Sequence, residues 1–156
     1  PKTPRRQRQM CIRDSIITDQ DKRTQKIFSD FGFNFGMAFQ LSDDVLDYFG
    51  DSSKMGKSVG KDFFEGKVTY PVIHCFKKSD KKSKKIIAKL FFKRKRSKKD
   101  LAVLLNLMKK TNTYRSSIEF VRKYAEKAKT NINKFEGNKY KVYLDELVDH
   151  LIIRDK

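Results

Sequence analysis

The chain has 156 residues, 38% hydrophobic and 12% aromatic, enough for one domain of ordinary size that buries about 68–70% of its unfolded surface. Thirteen Phe and six Tyr exclude a solvated, disordered composition, and the longest purely aliphatic run, Leu101 to Leu105, is far too short to span a bilayer. The net charge is +18, and no apolar stretch of secretory-signal type follows the basic residues at the amino end.

Residues 1–17, with Pro1, Pro4 and several arginines, follow neither a helical nor a strand period and are expected to be a disordered or non-native tail. Thr18-x-x-Asp21 has the residues of a helix start. Ile27, Phe28, Phe31, Phe35, Ala38, Phe39, Leu41, Val45, Leu46 and Phe49 then recur at helical spacing, which predicts one long, mostly buried helix over 18–50. Gly56, Gly60 and Gly66 punctuate a predicted loop as far as Pro71. Pro71 suits the first turn of a short helix through Val72, Ile73 and Phe76. Ser79-Asp80 caps a second helix with Ile86, Ile87, Leu90 and Phe91 inward, and Ser97-x-x-Asp100 opens a third with Leu101, Leu104, Leu105 and Met108. Asn112 caps a fourth, whose stripe is Tyr114, Ile118, Val121, Ala125, Ala128, Ile132 and Phe135 and which Gly137 stops. Asn138 begins a last helix with Tyr143, Leu144, Leu147, Val148, Leu151 and Ile152. No alternating strand pattern of useful length occurs, so the class is all-α.

Lys77 to Lys99 holds 13 Lys and Arg against one acid, Asp80, and Lys2, Arg5, Arg6, Arg8 and Arg13 form a second basic cluster. Such clusters attract nucleic acid or anionic lipid. Lysine on a solvated helix face is also the ordinary means of keeping a helical protein soluble, and this segment lacks the aromatic interleaving that base stacking needs. It is therefore expected to be solvated surface, with only Ile86, Ile87, Leu90, Phe91 and Phe92 as candidates for burial. Cys11 and Cys75 have no partners at metal spacing, which excludes a zinc site or a disulfide framework and fits a reducing compartment. His74, beside Cys75 among apolar residues, reads as a packing residue.

The informative anomaly is Gln40-Leu41-Ser42-Asp43-Asp44-Val45-Leu46-Asp47. At about 100° per residue, Gly36, Gln40, Asp43, Asp44 and Asp47 share one strip about 80–100° wide on a helix apolar on nearly every other side. Clustered carboxylates repel, and burying them unpaired is expensive, so something cationic must meet them. A helix start at Ser42 does not account for the apolar period that continues unbroken through it. A calcium loop alternates its ligands, whereas this spacing of i, i+1, i+4 belongs to a helix. Carboxylates on a rigid rod suit Mg²⁺, which takes one or two of them and completes its shell with waters and phosphate oxygens.

Gly56-Lys57-Ser58 invites comparison with a P-loop, but five residues rather than four separate Gly50 from Gly56, and a helix rather than a strand precedes it. What remains is a glycine loop carrying Lys57, Lys61 and Lys67 close to three aspartates, a combination suited to holding metal-bound diphosphate from both sides. Lys61 reads equally well as a solvated lysine.

At these residues the chain resembles the polyprenyl diphosphate synthase family (trans-isoprenyl diphosphate synthases). Phe39-Gln40-x-x-Asp43-Asp44-x-x-Asp47 is similar to the family's second aspartate-rich motif. Gly56-Lys57 through Gly60-Lys61-Asp62 and Glu65-Gly66-Lys67-x-Thr69-x-Pro71 are similar to the loop that follows it. Residues 147–156 are similar to the end of long-chain, octaprenyl-type members, so the resemblance covers about residues 18–156.

The resemblance implies an all-α isoprenoid synthase fold in which two aspartate-rich motifs face each other across a cavity and bind Mg²⁺. One such motif is present, so residues 18–156 are expected to be the C-terminal half of a polyprenyl synthase domain, inactive when isolated. The implied reaction condenses an allylic prenyl diphosphate with isopentenyl diphosphate to make a long-chain polyprenyl diphosphate. The implied metal ligands are Asp43, Asp44 and Asp47; the implied catalytic residues are Asp43, Asp44, Lys57 and Lys67; and Phe39, Gln40, Lys57 and Lys67 would bind substrate. A homodimer is implied for the full-length enzyme, in the bacterial cytoplasm or the mitochondrial matrix, with no nucleic acid, no transmembrane segment and peripheral membrane contact for product release. The alternatives are a non-enzymatic or terpene cyclase-like homologue and a basic nucleic-acid-binding helical module.

Overall fold

A computed structural model describes residues 20–50, 59–135 and 139–153, and among these the regular structure is entirely helical. The helices are α1 (Lys22–Phe49), α2 (Lys61–Glu65), α3 (Tyr70–Lys78), α4 (Lys81–Phe92), α5 (Lys98–Lys110), α6 (Thr113–Asn133) and α7 (Lys139–Ile153). The expected tail, Thr18, Lys57, Gly137 and Asn138 lie outside the described residues. The chain divides into two compact units, one made of residues up to Ser42 together with those from Phe120 onward, the other of Asp43–Glu119.

In the first unit, α1 starts at Lys22, just after Asp21. The Asp21 carboxylate accepts the Thr24 N–H at 2.6 Å, so the helix begins four residues later than the spacing predicts. Ile27, Phe31, Ala38 and Leu41 of α1 are buried, as are Val121, Ala125, Ala128 and Ile132 of α6 and Val148 and Leu151 of α7. Asn34 Nδ2 donates to Asn131 Oδ1 at 2.9 Å and ties α1 to α6, while Lys129 and Asp149 pair at 2.6 Å between α6 and α7. Two expectations fail here. α6 ends at Asn133, so Phe135 lies past it, and α7 turns Tyr143 and Leu147 outward, 63% and 48% exposed, keeping only Val148 and Leu151 as fully buried apolar positions among its described side chains.

The second unit has its own core of Tyr48, Phe63, Val72, Cys75, Ile87, Leu90, Leu101, Leu104, Leu107 and Met108, around which α3, α4 and α5 pack against one another. Local chemistry sets the helix boundaries. Pro71 occupies the first turn of α3, Asp80 accepts from the Ser83 N–H at 2.7 Å to open α4, and Ser97 and Asp100 form a reciprocal capping box at the start of α5. Asn112, with φ of 52°, turns the chain from α5 into α6, and Tyr114 on the next turn is 42% exposed rather than inward.

The predicted loop from Gly50 to Pro71 contains α2, five residues bracketed by Gly60 (φ 83°) and Gly66 (φ 78°). Both glycines sit in the left-handed region that L side chains avoid. α2 drives Phe63 fully into the core, but a five-residue helix is too short to show a period in sequence.

Candidate active site

Asp43, Asp44 and Asp47 all lie on the last two turns of α1, which runs without interruption from Lys22 to Phe49. Their environments differ. Asp43 is exposed, Asp44 is buried at 9% exposure, and Asp47 is half-buried. The strip is therefore not a uniformly open face, and Gly36 on the same line is buried as well. Phe39 and Gln40, about one turn before Asp43, are partly buried.

Two of the carboxylates meet the helices that follow. The Asp62 N–H in the first turn of α2 donates to Asp47 Oδ2 at 3.1 Å, and the Gly60 N–H donates to the Asp47 carbonyl at 2.7 Å. The Tyr70 N–H, in the first turn of α3, makes a long contact of 3.5 Å to Asp44 Oδ2. The first N–H groups of a helix have no partner within it, and a carboxylate satisfies them. The acidic end of α1 thus holds the segment that returns after it.

The charges respond to this packing. Burial raises the Asp47 carboxyl above its ordinary value, the Asp62 N–H opposes that shift, and the Asp62 charge adds to it. Burial also pushes the Tyr48 phenol well up, with the charges of Asp47, Asp62 and Asp44 acting in the same direction, so it stays protonated. Tyr48 Oη and Thr69 Oγ1 are both buried, and among the described residues neither makes a well-formed hydrogen bond, although the Thr69 hydroxyl is close enough to favour the phenolate.

Lys67 Nζ lies 2.7 Å from Glu65 Oε2 and 3.1 Å from Asp62 Oδ1. Gly66 makes the turn that permits this, and the two carboxylates, Glu65 first, raise the ammonium's pKa so that it remains a cation. Its charge also favours ionised Asp47. Lys61 is exposed and sits 3.9 Å from Glu65. The structure therefore brings Asp47, Asp62 and Lys67 into one linked group. Asp62 stands in the quoted motif but has no role in the expected site; its N–H bonds Asp47 and its carboxylate bonds Lys67. Its signal in the sequence was its place in the Gly60-Lys61-Asp62 part of the motif.

Among the described residues, no three His, Cys, Asp or Glu side chains are arranged to hold a metal ion on their own. An exposed carboxylate at Asp43, with Asp44 next to it, fits Mg²⁺ in its usual mode, where phosphate oxygens and water supply most of the shell.

The all-helical architecture, with an aspartate line ending one long helix and a glycine-bracketed turn folded back on it, is that of solved polyprenyl synthases, the isoprenoid synthase fold. A polyprenyl synthase from Caulobacter crescentus, solved with calcium and isoprenyl diphosphate, superposes with a TM-score of 0.77 at 30% identity, covering 87% of this chain and 42% of that one. The Polyprenyl synthetase family model matches residues 3–108, and the chain belongs to that family. A prenyl transferase of Cyanidium caldarium is 30% identical over 146 residues, 94% of this chain and 44% of its own length. A geranylgeranyl pyrophosphate synthase of Geoglobus acetivorans is 31% identical over 141 residues, 90% and 42% of the two chains. The chain spans less than half the length of these relatives.

Proposed function

We propose that the chain carries the diphosphate-holding part of a prenyltransferase that joins an allylic prenyl diphosphate to isopentenyl diphosphate and releases a long-chain polyprenyl diphosphate. The observation that carries this reading is the aspartate line on the unbroken end of α1, with Asp47, Asp62 and Lys67 linked beside it. In the reaction the allylic C–O bond breaks, the C=C bond of isopentenyl diphosphate attacks the resulting cation, and a proton is lost. No protein nucleophile is required. Asp43 presents its carboxylate outward, and Asp44 and Asp47 keep theirs oriented through helix N–H groups. Lys67, and Lys57 in the same role, offer cations to the departing diphosphate, the kind of charge stabilisation that dominates catalysis. Mg²⁺ held by the aspartates would add positive charge at the leaving-group oxygens. Phe39 and Gln40 complete the substrate contacts, and a homodimer is the proposed assembly of the whole enzyme.

The chain spans less than half the length of its relatives, so turnover is expected when it is mixed with a separately made complementary half from a relative and not from these residues alone. Incorporation of radiolabelled isopentenyl diphosphate tests this, and turnover by the chain alone would overthrow the two-half reading. Asp43→Ala should abolish Mg²⁺-dependent binding of inorganic diphosphate, measured by calorimetry, and leave stability within about 0.5 kcal/mol, because the side chain is exposed. Unaltered diphosphate binding would remove Asp43 from the site.

A further inference from the structure

Helix α4 has two faces. At about 100° per residue, Ile86, Ile87, Leu90 and Phe91 occupy one side, while Lys81, Lys82, Lys85, Lys89 and Phe92 fall within about 100° on the other. Ile87 and Leu90 are buried, whereas all five residues of the second set are exposed. Phe92, a candidate for burial on its sequence, is instead 89% exposed. It stands at the end of a lysine stripe and is followed by exposed Lys93, Arg94 and Lys95. The same compact unit adds exposed Lys77 and Lys78 at the end of α3 and Lys98 and Lys99 at the start of α5.

The acids near this surface are already engaged. Asp80 caps α4, and Asp100 accepts from the Ser97 N–H at 2.9 Å and from Lys93 Nζ at 2.6 Å. Of residues 77–99, only Lys93 is in an ion pair among the described residues. Arg96 is the exception in role: it donates to the carbonyls of Leu90 and Phe91 and lies over the rings of Phe63 and Phe91, so it serves the fold. Lys84 is half-buried and lies over the ring of Phe76, which is 42% exposed, while the lysines of the second set face solvent beside Phe92.

We propose that this face of α4 docks on an anionic lipid surface, its lysines drawn by the headgroup charge and Phe92 inserted beneath the headgroups. Each lysine near an anionic surface contributes about 1 kcal/mol, and apolar burial of the ring adds to that attraction, so the two act together in reversible peripheral binding. Nucleic-acid binding of the stacking kind needs a series of rings spaced along the strand path, whereas the lysine side of α4 carries Phe92 alone. The proposal stands on the surface alone and does not depend on the prenyl-transfer reading.

The test is sedimentation of the full chain with vesicles of equal parts phosphatidylcholine and phosphatidylglycerol, against vesicles of phosphatidylcholine alone. Binding should require the anionic lipid and weaken with salt. Phe92→Ala should lower it about tenfold, and the triple variant Lys81→Gln, Lys85→Gln, Lys89→Gln about a hundredfold. The chain has no tryptophan, so Phe92→Trp supplies a clean reporter whose emission should shift to the blue on the anionic vesicles alone. No binding to the anionic vesicles, binding that Phe92→Ala leaves unchanged, or an unshifted Phe92→Trp emission would overturn the proposal, since charge alone would then account for any affinity. Tighter binding of single-stranded polyuridylate that also depends on Phe92 would reassign the face to nucleic acid.

Discussion

Asp47 is subject to opposed demands, because burial disfavours its charge while the Asp62 N–H at 3.1 Å favours it. Burial wins and its folded pKa is raised, so the native state holds this proton more firmly than the unfolded chain. Stability from this group therefore falls as pH rises through the window just above 3.8, and the cost is fully present at neutral pH. Asp47→Asn keeps an oxygen for the Asp62 N–H and removes a charge beside Asp62. It should leave stability at pH 7 unchanged or raise it by roughly 0.5 kcal/mol or less, since solvent still screens the group, with no gain at pH 3. Asp47→Ala removes the acceptor and should cost about 1 kcal/mol. Urea melts of both variants at both pH values check the sign. Gly60 is the other residue on which this turn depends, with φ of 83° and an added Cβ only 2.6 Å from Leu101 Cδ2. Gly60→Ala should cost about 2 kcal/mol from strained backbone and displaced Leu101 together, and a loss under 0.5 kcal/mol would show that the turn has room to relax.

Between helices α4 and α5, a single arginine closes one element while a serine opens the next. Arg96 Nε donates to the Leu90 carbonyl at 3.1 Å, and its guanidinium lies 5.8 and 5.4 Å from the ring centroids of Phe63 and Phe91. The planar fork both satisfies carbonyls that the helix end leaves unpaired and stacks on aromatic faces, neither of which an ammonium reproduces. Arg96→Ala should lower the stability by about 2 kcal/mol, and Arg96→Lys should recover less than half of that in urea unfolding. The starts of α4 and α5 were legible in the sequence, because Asp80 and the Ser97–Asp100 box act within three residues of themselves. Helix α2 was not legible, being too short to show a period. The outward turn of Tyr143 and Leu147 was hidden for the opposite reason: α7 carries apolar residues on more than one side, so their spacing alone does not say which side is covered.

Across the molecule, two asparagines 97 positions apart join α1 to α6. A double-mutant cycle of Asn34→Ala and Asn131→Ala should give a coupling of about 1 kcal/mol, and additive losses would mean that water replaces the bond. Among the described residues no helix is long and apolar enough to cross a membrane, in line with the short aliphatic runs of the sequence. By itself the sequence determined the all-helical class, most helix boundaries and the family, because periodicity, caps and the aspartate motif are local patterns written in consecutive residues. Only the tertiary structure decided that Asp43, Asp44 and Asp47 differ in exposure, that Asp62 links Asp47 to Lys67, and that Phe92 faces solvent. Burial and the aim of a backbone N–H are set by whatever packs alongside, and Asp62 and Tyr70 reach α1 from 15 and 26 residues away.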